Sequence, residues 1–226
     1  MALANLAPRE LELPLFLLAG ERTHRQSADT GKHHCGVCKA TRSLEHVVET
    51  RYFCLFGVRL LPIEREADYL ECTTCHNGFH SDNTEVPSYV SGIHVSLAYL
   101  LLGFGLHEHA RAAGEVCERV SGTKVNSAEI HRIMGALDRQ ELNLEQELSE
   151  LAATTNDLGK YIIIQAAFLM THMCCEPQRE DRIRINLMGT ALGVGLEFVH
   201  GAIEDVRSQH YYGLRRLPAV RHVSPS

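Results

Sequence analysis

Two cysteine pairs, Cys35/Cys38 and Cys72/Cys75, constrain this chain more than any other feature. Each is a C-x-x-C knuckle, and 33 residues lie between the pairs. Two intervening residues let a tight turn aim both sulfurs at one point. Two such turns facing each other place four thiolates in a tetrahedron, the arrangement Zn²⁺ takes in closed structural sites. Cys35, Cys38, Cys72 and Cys75 are therefore expected to hold one structural Zn²⁺. Four cysteine ligands leave no open position for the water that a catalytic zinc activates. A ribbon of roughly 65 residues buries little apolar surface, and metal binding adds on the order of 10 kcal/mol or more to such a fold.

The 226 residues are enough for one or two domains, and the formal charge of −6 argues against a chain that coats nucleic acid. Eight cysteines would also suit a secreted disulfide framework. The C-x-x-C pairing, the chain length and an N-terminus with no basic stretch before its apolar run point instead to reduced cysteines in a cytoplasmic or nuclear setting. No apolar run reaches the roughly 20 residues that span a bilayer.

Periodicity divides the chain. From about Leu11 to His80 the pattern is that of short strands: the run 13–19 ending at Gly20, the β-branched and aromatic stretch 47–63 with a bend or turn at Gly57, and Tyr69 to Cys72. Asn77 and Gly78 form the following turn. Residues 81–87 are polar, end in proline and read as a linker. Beyond them the spacing predicts helices over 88–104, 107–120, 127–154 with a break near Gln140, 160–174, 180–193 and 196–209. Apolar residues surround 162–173, which belongs at the centre of a bundle. The expected fold is α+β: a zinc ribbon over 11–80, then an all-α bundle over 88–209 and a basic tail over 210–226. Between Arg207 and Arg221 that tail region has four arginines and no acid, and a solvated terminus is its plainest reading.

Residues 13–80 resemble the small zinc-ribbon proteins. The pieces that carry the resemblance are Gly20-Glu-Arg-Thr23 after an apolar strand, the first knuckle, Tyr52-Phe-Cys-Leu-Phe56, Leu61-Pro-Ile63 and the second knuckle. The family often has proline and glycine inside its knuckles, where this chain has Gly36-Val37 and Thr73-Thr74. The resemblance implies zinc binding and no particular activity. The helical half is similar to TerB-like bundles through Gln165-Ala-Ala-Phe-Leu-Met170, Glu180-Asp-Arg-Ile-Arg-Ile185 and Leu192-Gly-Val194. TerB-like repeats hold acidic, metal-linked groups in the intervening loop, which here reads His172-Met-Cys-Cys-Glu176.

Other residues admit chemistry. His33, His34, His76 and His80 flank the knuckles as surrounding or exposed groups, and Cys54 reads as a small buried residue. His107, His109, His172, Cys174, Cys175 and Glu176 are candidates for a second metal site, and His172 with Cys174 or Cys175 for a thiol nucleophile and its base. The plainer reading makes Cys174 and Cys175 core thiols at a helix end. The expected function is a non-enzymatic, zinc-stabilised protein-interaction module with a protein partner. A nucleic-acid-binding ribbon is the first alternative, although residues 31–80 balance six Lys/Arg against six Asp/Glu. A metal-dependent enzyme or stress-response protein with its site in the bundle is the second. Partner identity and oligomeric state are not encoded in any motif.

Overall fold

The computed structural model describes residues 19–217. Four antiparallel strands in the order β1-β2-β3-β4 precede seven helices, an α+β architecture. The strands are β1 (Ala19–Cys35), β2 (Ala40–Leu55), β3 (Val58–Cys72) and β4 (Gly78–Phe79). The helices are α1 (Tyr89–Gly103), α2 (Ala110–Ser121), α3 (Ser127–Asp138), α4 (Leu144–Ala152), α5 (Asp157–Cys174), α6 (Arg179–Ala191) and α7 (Leu196–Ser208). Among the described residues no helix is long and apolar enough to cross a membrane.

Strand content is where the structure departs most from expectation. Of the bend or turn expected at Gly57, the turn is formed, and the stretch 47–63 is two strands. It reverses at Phe56 and Gly57, both with positive φ, the requirement of a two-residue type I′ hairpin turn. Gly20 does not end a strand either: β1 runs through Gly20-Glu-Arg-Thr23 and on to the first knuckle. Residues 13–18 of the expected first strand lie outside the described residues. β1, β2 and β3 thus form a long three-stranded arm, with Ala19 opposite Leu55 at the tip and Cys35 opposite Ala40 at the base. Midway along the arm, Arg51 links carboxylates on two neighbouring strands, lying 3.3 Å from Glu21, 3.5 Å from Glu66 and against Glu64.

The helices follow the sequence pattern closely. α5 buries twelve of its residues, among them Ile163, Ile164, Phe168 and Leu169, and α1, α2, α6 and α7 pack around it. The break near Gln140 separates α3 from α4, and Gln140 takes a left-handed conformation there. Asn126, rather than Ser127, caps α3 by accepting from the Ala128 N–H. His107 and His109 form a short 3₁₀ turn before α2.

The end of the described chain is packed in part: Tyr211, Tyr212, Leu214 and Leu217 are half-buried, while Arg207, Arg215 and Arg216 are exposed. The Leu217 N–H donates to Met173 O at 2.8 Å, Tyr211 stacks on His172 at 3.6 Å, and Arg216 pairs with Glu176. Residues 218–226, the rest of the expected basic tail, lie outside the described residues.

Sheet and bundle meet through hydrogen bonds at the second knuckle. Asn156 caps α5 through its Oδ1, which accepts from Gly159 N–H at 3.0 Å, while its Nδ2 donates to His76 O at 2.7 Å and Glu71 Oε2 at 3.3 Å. Tyr89 of α1 donates to Asn77 Oδ1 at 2.9 Å, and the Asp68 N–H donates to Ala153 O at 2.8 Å. Asn156→Ala removes the cap and leaves buried acceptors unpaired, so a loss of about 2–4 kcal/mol is expected. Asn156→Asp keeps the cap but sets a second carboxylate beside Glu71, and thermal unfolding of both variants separates the two contributions. Unchanged melting of Asn156→Ala would refute the role of this residue as the joint.

Candidate metal centre

The two knuckles sit at the ends of long strands, which bring residues distant in sequence together. Cys35 ends β1 and Cys38 lies in the turn into β2; Cys72 ends β3 and Cys75 lies in the turn into β4. Pairing of β2 with β3 sets Leu44 opposite Cys72, so the register of the sheet fixes one knuckle against the other. Both turns close in the same way: the residue after the second cysteine, Lys39 or His76, adopts positive φ, 51° and 58°. This lets successive backbone N–H groups curl toward sulfur, and the Cys38 N–H lies 3.4 Å from Cys35 Sγ.

The four sulfurs converge. Cys35 and Cys75 are 3.7 Å apart, Cys38 and Cys72 are 4.0 Å apart, and all four lie within 4.8 Å of one another. Four sulfurs bound tetrahedrally at about 2.3 Å from one ion stand about 3.8 Å from each other. The group therefore has the size and donor set to hold a metal ion. It is also half of a very small core: Leu44, Leu70 and Phe79 bury themselves with Cys35 and Cys72, while Cys38 and Cys75 pack against them.

Electrostatics set these thiols apart from ordinary cysteines. Burial pushes the Cys35 thiol up to about 12, against the pull of the Cys38 and Val37 N–H groups. Burial opposes ionisation of Cys72 too, but the Cys75 and Thr74 N–H groups, with the Cys75 and Cys35 thiols, outweigh it and draw Cys72 down to about 7. Cys75 is raised by burial, with the Asn77 N–H and side chain working the other way. A dication held among the sulfurs would favour their thiolate forms and offset the cost of burying them.

The histidines stand outside the cluster. His33 bonds to Thr30 O at 2.9 Å, His34 lies 3.8 Å from Glu85, and His76 turns to Glu71 at 3.4 Å. His80 bridges to Asn83. Cys54 is buried near the other end of the sheet, its thiol directed at Tyr52 O. Glu71 is the group that the sequence did not single out. It is buried and gathers Arg25 at 2.8 Å, Asn156 and His76, tying the second knuckle to both the arm and α5.

The second metal constellation is not assembled. Among the described residues, the four cysteines are the one group of three or more potential ligands that converges. His107 and His109 lie in their 3₁₀ turn, Glu176 pairs with Arg216, and His172 is sandwiched against Tyr211. Burial, with help from Arg216 and against Glu176, holds the His172 imidazole below its ordinary pKa. Burial also raises Cys174 to about 12 and Cys175 to about 11, far from the thiolate character that a nucleophile needs. These thiols are packing groups at the end of α5. Comparison of the chain with protein-family models, with curated proteins and with solved structures finds no match.

Proposed function

We propose that this chain is a zinc-stabilised, non-enzymatic interaction module. In this reading Cys35, Cys38, Cys72 and Cys75 hold one Zn²⁺ in a ribbon of the small zinc-ribbon kind. The helical half is a TerB-like bundle without the acidic loop, and it serves as the platform on which the ribbon is mounted. The observation that carries the proposal is the division of labour along the sheet. Its base is locked to the bundle around the thiol cluster, while its tip displays Phe56, Val58, Leu60 and Leu61 to solvent. Exposed apolar side chains gathered at one place mark a surface that meets another protein. Four thiolates favour zinc over harder cations and close its coordination shell.

The balance of charge over residues 31–80, six Lys/Arg against six Asp/Glu, weighs against the nucleic-acid alternative. Three cations of the arm are already paired, Arg51 with Glu21, Glu64 and Glu66, Arg25 with Glu71 and Arg65 with Asp68. Elemental analysis of protein purified under reducing conditions tests the proposal. One zinc per chain is expected. Iron with thiolate-to-metal visible absorption, or two or more ions per chain, would overturn it.

A further inference from the structure

After α7 the backbone takes an uncommon course. His210, Tyr211 and Tyr212 adopt positive φ in succession, 50°, 53° and 51°, and Gly213 follows at 73°. Residues with a Cβ enter the left-handed region at a steric cost and ordinarily one at a time, most often as asparagine. Three ring-bearing residues in a row therefore make a strained turn. The turn supplies two backbone bonds of its own, from Tyr212 N–H to Gln209 O and from Leu214 N–H to Tyr211 O, both 3.0 Å. Strain of this kind persists only where surrounding contacts hold the backbone in place.

Those contacts are made chiefly with α5. The Tyr211 ring lies on His172, with centroids 3.6 Å apart and planes 11° from parallel, and it meets Phe168 at 6.3 Å. Leu217 N–H donates to Met173 O at 2.8 Å, and Arg216 pairs with Glu176 just beyond the helix. Tyr212, Leu214 and Leu217 pack against the bundle core. Residues 209–217 are thus a strap laid over the end of α5, with His172 beneath the Tyr211 ring.

His172 is 9% exposed, and its Nδ1 is buried with no hydrogen-bond partner. A neutral imidazole offers Tyr211 a flat face to stack on. A protonated one carries an N–H on both nitrogens, and the N–H on Nδ1 finds no acceptor. Arg216 faces the ring from the strap, and Glu176, which favours a cation, is already engaged by Arg216. Asp181 of α6 is turned to Gln178 N–H, Cys175 and Arg184, and Arg207 of α7 lies over the Phe168 ring. On the α2 side, Glu115, Glu118 and Arg119 line a groove with Leu214. No free carboxylate among these reaches Nδ1.

We infer that the strap is a proton-released latch, held down on α5 while His172 is neutral and let go when the ring takes a proton. Burial, then Arg216, hold the imidazole below its ordinary pKa, against Glu176. The closed strap therefore binds the proton less readily than the open one, in which His172 titrates as a free imidazole. Closure is at full strength above about pH 6.5 and weakens as the pH falls below that, until the closed ring is itself protonated. Release relieves the left-handed turn and bares part of α5 at Phe168 and Met173, both buried while the strap is down. His172 lies sixteen residues along α5 from Asn156, roughly 24 Å at helical rise, so the latch works far from the joint to the second knuckle.

Nuclear magnetic resonance on the zinc-loaded full chain, from about pH 7.5 to about pH 5.5, tests the inference. As the His172 ring titrates, the shifts of the Tyr211 ring should move to those of a free tyrosine. Protection of Leu217 N–H, relative to an unstructured amide at the same pH, should be lost in the same step. His172→Phe keeps a ring for the stack but has no proton to take, so its strap should stay closed across the range. Glu176→Gln should still open. A strap that stays closed while His172 titrates overturns the inference, as does one that opens in His172→Phe. A response lost in Glu176→Gln also overturns it, assigning the switch to the carboxylate. Should His172→Phe lose its helical signal, the native titration and Glu176→Gln decide. Zinc content is measured at each pH, and strap signals that change only as zinc leaves refute the latch.

Discussion

Replacing Cys35 and Cys72 together with serine should abolish metal binding and unfold the base of the sheet while most helical signal survives. The reason lies in how unequally the two halves are provided with core. The bundle buries a continuous apolar cluster running from Tyr89 to Val206. The base of the sheet has Leu44, Leu70 and Phe79, and its other two buried members are Cys35 and Cys72 themselves. A structural zinc contributes on the order of 10 kcal/mol, more than the whole stability of many small domains. Serine keeps the size of the side chain but is not a soft anionic donor, so the double variant should hold no stoichiometric zinc. Amide exchange should become fast over 31–45 and 68–80, with the circular dichroism of the helices largely kept. A strong chelator should do the same to the native chain, and so should acid, because protons compete for the thiolates. The idea fails if the double variant keeps its zinc, or loses it with no change in exchange at the base of the sheet.

Much of this was legible in the sequence because it is local. The C-x-x-C spacing specifies each knuckle, and apolar periodicity specifies the helices, down to the break at Gln140. What was not legible follows from the same physics. β1 is an edge strand with nearly every side chain in water, so it shows no alternation of apolar and polar residues. The reversal at Phe56-Gly57 lacks the Asn-Gly signature, so the sequence leaves a bend and a turn at Gly57 equally open. Asn156 is recognisable as a cap, but its grip on His76 O and Glu71 depends on residues some eighty positions away. The packed chain end depends on a stack between His172 and Tyr211 that no local pattern announces. The thiol cluster was thus readable as a group that could hold a metal, whereas the way it is fastened to the rest of the molecule was not.

Gly36→Ala should destabilise the fold strongly while leaving all four cysteines in place. The expected linker 81–87 is not a tether: it lies on the first knuckle, and the Gly36 N–H donates to Thr84 O at 2.9 Å. A Cβ on Gly36 would stand 1.8 Å from Glu85 O and 2.4 Å from its carbonyl carbon. Those are backbone atoms, so no rotamer change relieves the clash and the linker must move away. Gly36 is not among the positive-φ glycines, so the demand is for space rather than for conformation. Loss of the hydrogen bond together with the displacement should cost about 2–4 kcal/mol. Zinc should remain at one per chain, since no ligand changes. Exchange and proteolysis within 81–87 should accelerate. Val37→Ala, in the same knuckle but 38% exposed, should stay within about 0.5 kcal/mol of the parent and serves as the control. Equal melting of Gly36→Ala and Val37→Ala would refute the close approach. A Gly36→Ala variant that melts early with its zinc retained would show that the metal holds the two knuckles together, while the bare backbone at Gly36 lets the linker seat the first of them against the chain leading into the bundle.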